Sequence, residues 1–292
     1  MLKNVLVFSQ SNAELVSRAN AIAENTVLIT AAGGLSGADT VYTYDPNDSV
    51  AMKLKAIADI ALELQPELVL CEPRPSGRLV AGYLAAVLKT SSLPEVQTLE
   101  ITDTGLESTR MVYGGSFVQT ESMPYPAVAV VGHGVLACDQ LLRESKVIAL
   151  EGDVEGLELV DVHISSAAHK DLSTADRVVC VGRGLGSGDN MPMVEELAKL
   201  MDAEMGCTRP VAEEEGWMAK NRYIGISGVM LKSKTYLGLG ISGQMQHMIG
   251  TRSCKDIFAI NKLENSGVIE EADYTLVGNV LTAVPAIIEK LK

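Results

Sequence analysis

Residues 177–206 read RVVCVGRGLGSGDNMPMVEELAKLMDAEMG, and they set the fold class. Arg177 to Val181 is a short β-branched run of the kind that forms a buried strand. Gly182 to Gly188 is a glycine-rich turn. The spacing then predicts a helix from Asn190 to Met205, with Val194, Leu197 and Met201 inward and Gly206 as its stop. Strand, tight turn and helix in that order open a βαβ unit, which requires a parallel sheet. Further strands are expected at Tyr236 to Ile241, Ile257 to Ile260 and Tyr274 to Val277. Asn279 can cap a last helix whose buried face is Leu281, Val284, Ile288 and Leu291.

The same alternation fills the first half. Val5 to Phe8, Val27 to Thr30 and Leu68 to Cys71 read as strands, and Ala13 to Glu24 and Val50 to Leu64 as helices. In the second helix Met52, Leu54, Ile57, Ile60 and Leu64 form one apolar stripe. After about Glu95 the pattern changes to extended strands with turns around Tyr113-Gly114-Gly115 and Pro124-Tyr125-Pro126. From about Glu151 to Lys170 the chain is polar and irregular, the best linker candidate. The expectation is therefore two Rossmann-like α/β domains, 1–165 and 171–292.

Composition narrows the function. The chain has 292 residues, enough for two cores, and its 47% apolar content with 4% aromatic suits aliphatic sheets and helices. A formal charge of −13 opposes nucleic acid and anionic lipid, so protein or small-molecule partners are expected. The opening residues lack the features of a signal or transit peptide, and no apolar run is long enough to span a membrane. A cytoplasmic, prokaryotic protein without stable membrane insertion is expected. Cys71, Cys138, Cys180, Cys207 and Cys254 lie far apart, without CxxC pairing, and read as reduced structural thiols rather than metal ligands. No Ser-His-Asp arrangement is evident, and His133 reads as a turn residue, so no catalytic residue is assigned.

Three segments carry chemistry. The turn Gly182 to Asn190 can bring backbone N–H groups to a phosphate at a helix N-terminus, with Arg183 adding a charged hydrogen bond. It does not follow GxGxxG spacing, and alone it could be an ordinary βα turn. Gly206-Cys207-Thr208-Arg209 places a cation that could lie against a redox ring, or could only answer the carbonyls of the preceding helix. Leu239 to Gly250, LGISGQMQHMIG, runs from a strand through a Ser-Gly turn into a helix. It gathers N–H groups, two glutamine amides and the His247 imidazole within about two helical turns.

Together these segments resemble the alpha subunit of electron-transfer flavoproteins. GRGLGSGDN is similar to that family's GRGL segment, and GCTR to its glycine-small-(Ser/Thr)-Arg segment. YIGISG resembles its (V/I)GQ(T/S)G loop and GISGQMQHMIG its GISG-x-x-QH-x-x-G signature, while Ile260-Asn261-Lys262 and Ala272-Asp273-Tyr274 follow in order. The first half matches more loosely, through PSGRLV and the YGG…TES…P pattern.

The resemblance implies an FAD site in a C-terminal parallel-sheet domain. Arg183 would lie near the pyrophosphate, Thr208 would position the cofactor and Arg209 would approach the ring. In the loop Ile224, Gly225, Ile226 and Ser227, the serine would donate toward flavin N5. Ser242, Gly243, Gln244, Met245, Gln246 and His247 would hold the pyrophosphate and the O2 edge, and Asn261, Asn279 and Val280 the adenosine end. It further implies an electron carrier rather than an enzyme with its own substrate. Its N-terminal domain would contact a beta subunit in a heterodimer. The donor would be a dehydrogenase, the acyl-CoA dehydrogenase type being one candidate, and electrons would pass on to a redox acceptor; the sequence names neither. The sequence departs from the family pattern at Ile226, where glutamine is usual, at Leu263-Glu264 in place of Asp-Pro, and at Asn279 in place of Asp. Ile226 keeps open a second reading, a nucleotide-binding interaction scaffold with a degenerate flavin site. A nicotinamide dehydrogenase is disfavoured because no GxGxxG follows the first strand.

Overall fold

A computed structural model describes residues 1–113, 116–132, 136, 139–161 and 171–292. The chain divides into two compact units, with the boundary between residues 164 and 165. The first contains β1 (Leu2–Phe8), α1 (Ala13–Ile22), β2 (Ala23–Ala31), β3 (Thr40–Tyr44), α2 (Val50–Leu64), β4 (Leu68–Cys71), α3 (Pro75–Val87), β5 (Ser92–Val96), β6 (Thr98–Ile101), β7 (Gly105–Val112), β8 (Phe117–Pro124), β9 (Ala127–Val131) and β10 (Lys146–Ala149). Seven of these strands make a parallel sheet in the order β10-β3-β2-β1-β4-β9-β5, and β6-β7-β8 form an antiparallel ribbon.

Strand side chains alternate between faces, so β1 sends Val5 and Val7 to one core and Leu6 and Phe8 to the other. Leu15 and Val16 of α1, with Leu99 and Leu106 of the ribbon, close the first core. Leu54 and Ile57 of α2, with Val80 and Leu84 of α3, close the second. Both faces of the central strands are covered, which is why β4 and β9 are apolar along their length rather than alternating with polar residues.

The second unit contains β11 (Arg177–Val181), α4 (Met191–Leu200), β12 (Glu204–Cys207), α5 (Arg209–Glu213), β13 (Thr235–Leu239), α6 (Met245–Met248), β14 (Asp256–Asn261), α7 (Gly267–Glu271), β15 (Tyr274–Val277) and α8 (Val280–Leu291). Its five-stranded sheet is parallel throughout, in the order β12-β11-β13-β14-β15. Val179 and Val181 of β11 pack with α4 and α8, while Val178 and Cys180 face a core built with Leu172, Tyr236, Met248 and Val268. The two Rossmann-like α/β units are thus present.

Three local expectations are corrected. The helix expected from Asn190 to Met205 ends at Leu200. Asp202 adopts φ 50°, Ala203 N–H returns to Ala198 O, and Glu204–Cys207 become an edge strand beside β11. Gly206 is therefore a strand residue packed against Ile224, not a helix stop. The helix expected to reach Glu24 ends at Ile22, because Ala23 already pairs with Leu2 of β1. The buried stripe of α8 is Val280, Val284 and Ile288, while Leu281 and Leu291 are exposed. Val284 and Ile288 stand as expected, and the face is completed by Val280 on the preceding turn rather than by Leu281 and Leu291.

Cys71, Cys180, Cys207 and Cys254 are free and buried. Burial pushes the thiols up, Cys207 to about 12 and Cys254 to about 11, so they are inert apolar groups at neutral pH. Among the described residues no helix is long and apolar enough to cross a membrane, and no His, Cys, Asp and Glu cluster suits a metal ion. Cys138, His133 and the 162–170 part of the expected linker lie outside the described residues.

Candidate functional site

In the second sheet the chain leaves β11 for β12 on one side and later returns to β13 on the other. The carboxyl ends of β11 and β13, where Val181 pairs with Leu239, therefore mark a topological switch point, the place where open parallel sheets bind ligands. The two glycine turns leave the sheet there. Gly182 N–H donates to Leu239 O at 2.9 Å and Gly184 N–H to Gly240 O at 2.9 Å. A Cβ on Gly184 would stand 2.6 Å from Gly240 Cα, so neither turn accepts a side chain where they touch.

Two more loops join them. Thr208, buried at the end of β12, donates its N–H to Val181 O at 2.9 Å and begins α5. Ile224 N–H donates to Cys207 O at 2.9 Å, bringing the 224–229 loop to the same edge. Gly225 takes φ 137° and Ile226 N–H reaches Gln246 O at 2.8 Å, which ties that loop to the start of α6. Gly243 has φ 76°, and a Cβ there would overlap the backbone nitrogen of Val268.

The side chains fall into two sets. Arg183, Arg209, Ile226, Ser227, Ser242, Gln244, Met245 and Gln246 are exposed on this edge. Arg183 lies 3.3 Å from Glu214 Oε2, and Arg209 Nε is 2.6 Å from Glu213 Oε2, one helical turn on. The other set supports the loops from within. Asn261, buried, donates from Nδ2 to Ile241 O at 2.6 Å and accepts Leu263 N–H at 3.0 Å. Asn279 caps α8 by accepting Leu281 N–H, and Val280 is buried in the core. The structure thus gathers Arg183, Thr208, Arg209, residues 224–227 and residues 242–247, with Asn261 attached to them. Asn279 and Val280 stand further along the edge, beyond β15.

His247 differs from the expectation that its imidazole faces a cofactor ring. It is 8% exposed, and Nδ1 lies 3.1 Å from Ile224 O while Nε2 lies 2.8 Å from Tyr236 Oη. Both ring nitrogens already have partners within the chain. Burial pulls its pKa down to about 4, so the ring is neutral at pH 7, not an imidazolium. The sequence reading gives Tyr236 only as the start of a strand and assigns it no role. The available signal was a tyrosine inside an apolar strand run, whose hydroxyl must find a buried partner.

The His247 shift predicts a pH dependence. An unfolded histidine titrates near 6.5. Because the folded pKa is lower, the folded state binds fewer protons between these values. The stability that His247 contributes is complete above about pH 6.5 and is lost as pH falls through about 4, on the order of 3 kcal/mol in all. His247→Gln should flatten the fall in stability across this window, whatever its effect at pH 7. Urea titrations of both proteins at several pH values check it, and an unchanged slope would refute it.

Comparison with known proteins agrees with this geometry. Residues 171–252 match the family model of the "Electron transfer flavoprotein FAD-binding domain", and residues 5–158 that of the "Electron transfer flavoprotein domain". YdiR of Escherichia coli (strain K12), named for an electron transfer flavoprotein subunit, is 35% identical over 263 residues, covering 87% of this chain and 84% of its own. FixB of Escherichia coli O139:H28 (strain E24377A / ETEC) is 34% identical over 305 residues, covering 98% of this chain and 97% of its own.

Proposed function

This chain belongs to the electron-transfer flavoprotein family as an alpha-type subunit, and from that premise we propose that it holds FAD at the carboxyl edge of its second sheet. The observation that carries the reading is the convergence of four loops on the β11–β13 switch point, with uncharged donors exposed there and no Cβ tolerated at Gly184 or Gly243. The donor chemistry fits the group. Backbone N–H groups of the glycine turns, with Arg183, would hold the pyrophosphate, and Ser242, Gln244 and Gln246 offer hydroxyl and amide donors to it and to the ring's polar edge. Ser227 would donate at the N5 side, and Arg209 would supply positive charge near the ring. Thr208 and Asn261 would fix the loops rather than face solvent.

A bound flavin supplies one- and two-electron redox chemistry. The residues of this chain bind it, orient it and set the charge around it. The N-terminal unit would contact the beta subunit, electrons would come from a dehydrogenase of the acyl-CoA dehydrogenase type, and a separate redox acceptor would receive them. Ile226 does not favour the scaffold alternative. Its backbone N–H keeps the bond to Gln246 O, so the loop is intact without a glutamine side chain.

The test is to co-produce the chain with its beta partner, reduce the complex anaerobically with a donor dehydrogenase and its substrate, and then add an acceptor. Bleaching of a flavin spectrum followed by its return is expected. A colourless complex, or a bound flavin that neither donor nor acceptor touches, would overturn the proposal.

Arg209 yields a prediction of opposite signs. Arg209→Ala removes a positive charge and should lower the flavin potential, whereas Glu213→Gln removes the facing carboxylate and should raise it. The double variant should return close to the parent. Each shift should be modest, because both side chains have solvent access and are screened. Spectroelectrochemical titration of the three variants checks the signs, and a potential indifferent to all three would place Arg209 away from the ring.

A further inference from the structure

Tyr236 is fully buried near the start of β13, the central strand of its sheet, and its hydroxyl is 2.8 Å from His247 Nε2. On the far side of the ring, Nδ1 is 3.1 Å from Ile224 O. A carbonyl oxygen can only accept, so Nδ1 carries the proton. In a neutral ring Nε2 is then an acceptor, and Tyr236 O–H donates to it. The direction of both bonds is therefore fixed. They form a line from the rigid centre of a five-stranded sheet, through α6, to the carbonyl at the base of the 224–229 loop. Beyond that carbonyl the loop closes on itself, with Gly225 N–H donating to Val229 O at 3.1 Å, Gly228 N–H to Gly225 O at 2.9 Å and Tyr223 Oη to Ser227 O at 2.7 Å. Gly225 sits at φ 137°, Ile226 N–H bonds to Gln246 O, and the side chains of Ile226 and Ser227 are exposed.

We propose that Tyr236 is a positioning residue for flavin binding. By donating to Nε2 it fixes the orientation of the His247 ring, whose Nδ1–H holds the Ile224 carbonyl, and so sets where residues 225–227 meet the cofactor. The second half of this statement rests on the flavin reading given above, while the first half concerns the chain alone. Tyr236 does not touch the cofactor; it acts through His247. Its ring also packs in the core with Met248 and Val268, which is why the hydroxyl must be separated from the ring in any test.

The separating substitution is Tyr236→Phe, made in the complex with the beta partner and compared with the parent both loaded and stripped of flavin. Nitrogen-15 labelling of the histidines should report His247 as the Nδ1–H tautomer in both proteins, because Ile224 O still accepts, with the unprotonated Nε2 resonance shifted in the variant because its donor is gone. Hydrogen exchange should quicken by about tenfold in peptides covering 224–229, the loss expected for roughly one net hydrogen bond, and stay unchanged in β14. Flavin should leave the loaded variant faster by a similar factor. An unchanged Nε2 resonance with unchanged exchange at 224–229 would overturn the proposal, as would quickening spread equally over β13 and β14. If the variant is too unstable to assemble, Cys180→Ala with Tyr236 intact serves instead. It removes the other polar group near the Tyr236 hydroxyl and the His247 ring. It should leave the tautomer and the 224–229 exchange at parental values, and a change there would overturn the proposal. A parent complex that binds no flavin would end the flavin reading but leave the Nε2 resonance and exchange results to decide the positioning role.

Discussion

Gly243→Ala should abolish flavin retention while leaving both sheets folded. At φ 76° an alanine is strained by about 1 to 2 kcal/mol. Far more important, its Cβ would overlap the Val268 nitrogen at the start of α7, where only backbone lies and nothing flexible can yield. The turn must then move away from α7, carrying Ser242 and Gln244 with it and breaking the register of four loops that bind at one edge. Gly186→Ala is the matched control. Gly186 also has positive φ, 86°, but a Cβ there meets nothing within 4 Å, so only the backbone strain applies. The complex of the first variant should emerge from gel filtration at the parental volume without its visible absorbance, and that of the second should remain coloured. Equal flavin content in the two variants would show that close packing at Gly243 does not shape the site.

The second large effect concerns Ile226, whose side chain is 51% exposed on the loop that also bears Ser227. Because the loop is held by the Ile226 backbone, Ile226→Gln should change the chemistry presented without rearranging the chain. A glutamine amide donating to the reduced, more negative flavin contributes about 1.5 to 3 kcal/mol if the bond strengthens on reduction, on the order of 100 mV in a one-electron potential. The potential should rise. Ser227→Ala removes a donor from the same place and should lower it or weaken retention. Reductive titration of the two variants with the beta partner checks both signs, and potentials unmoved in both would show that this loop faces away from the flavin.

The strands and helices that could be read from the sequence are those whose pattern is local. The α2 helix with Leu54 and Ile57 inward, the short apolar strands β4 and β15 and the Asn279 cap each express one period or one hydrogen bond and stand where the sequence places them, though Ala58 and Ala61, not Met52, complete the buried face of α2. Glu204–Cys207 was not legible as a strand, because EMGC carries no β pattern of its own and gains its conformation by pairing with β11. The site was legible as a set of loops, since glycines at fixed spacing reflect backbone contacts that admit no Cβ. What was not legible is direction. His247 looks like a surface ligand in GQMQHM, yet it turns inward because Tyr236, eleven residues earlier on β13, and Ile224, on a separate loop, meet it in the core. The pairing of Arg209 with Glu213 was present as an i, i+4 spacing, though Glu213 reads by itself as a solvated face.

Photolabelling tests whether the loops at the carboxyl edge of β11 and β13 hold the flavin. The stripped complex is reloaded with 8-azido-FAD, irradiated and digested, and the labelled peptides are mapped. Label is expected on this chain in the peptides that carry residues 208–231 and 240–252, competed away by FAD and lost in Gly243→Ala. Label confined to residues 1–161 or to the beta subunit would contradict that placement of the flavin.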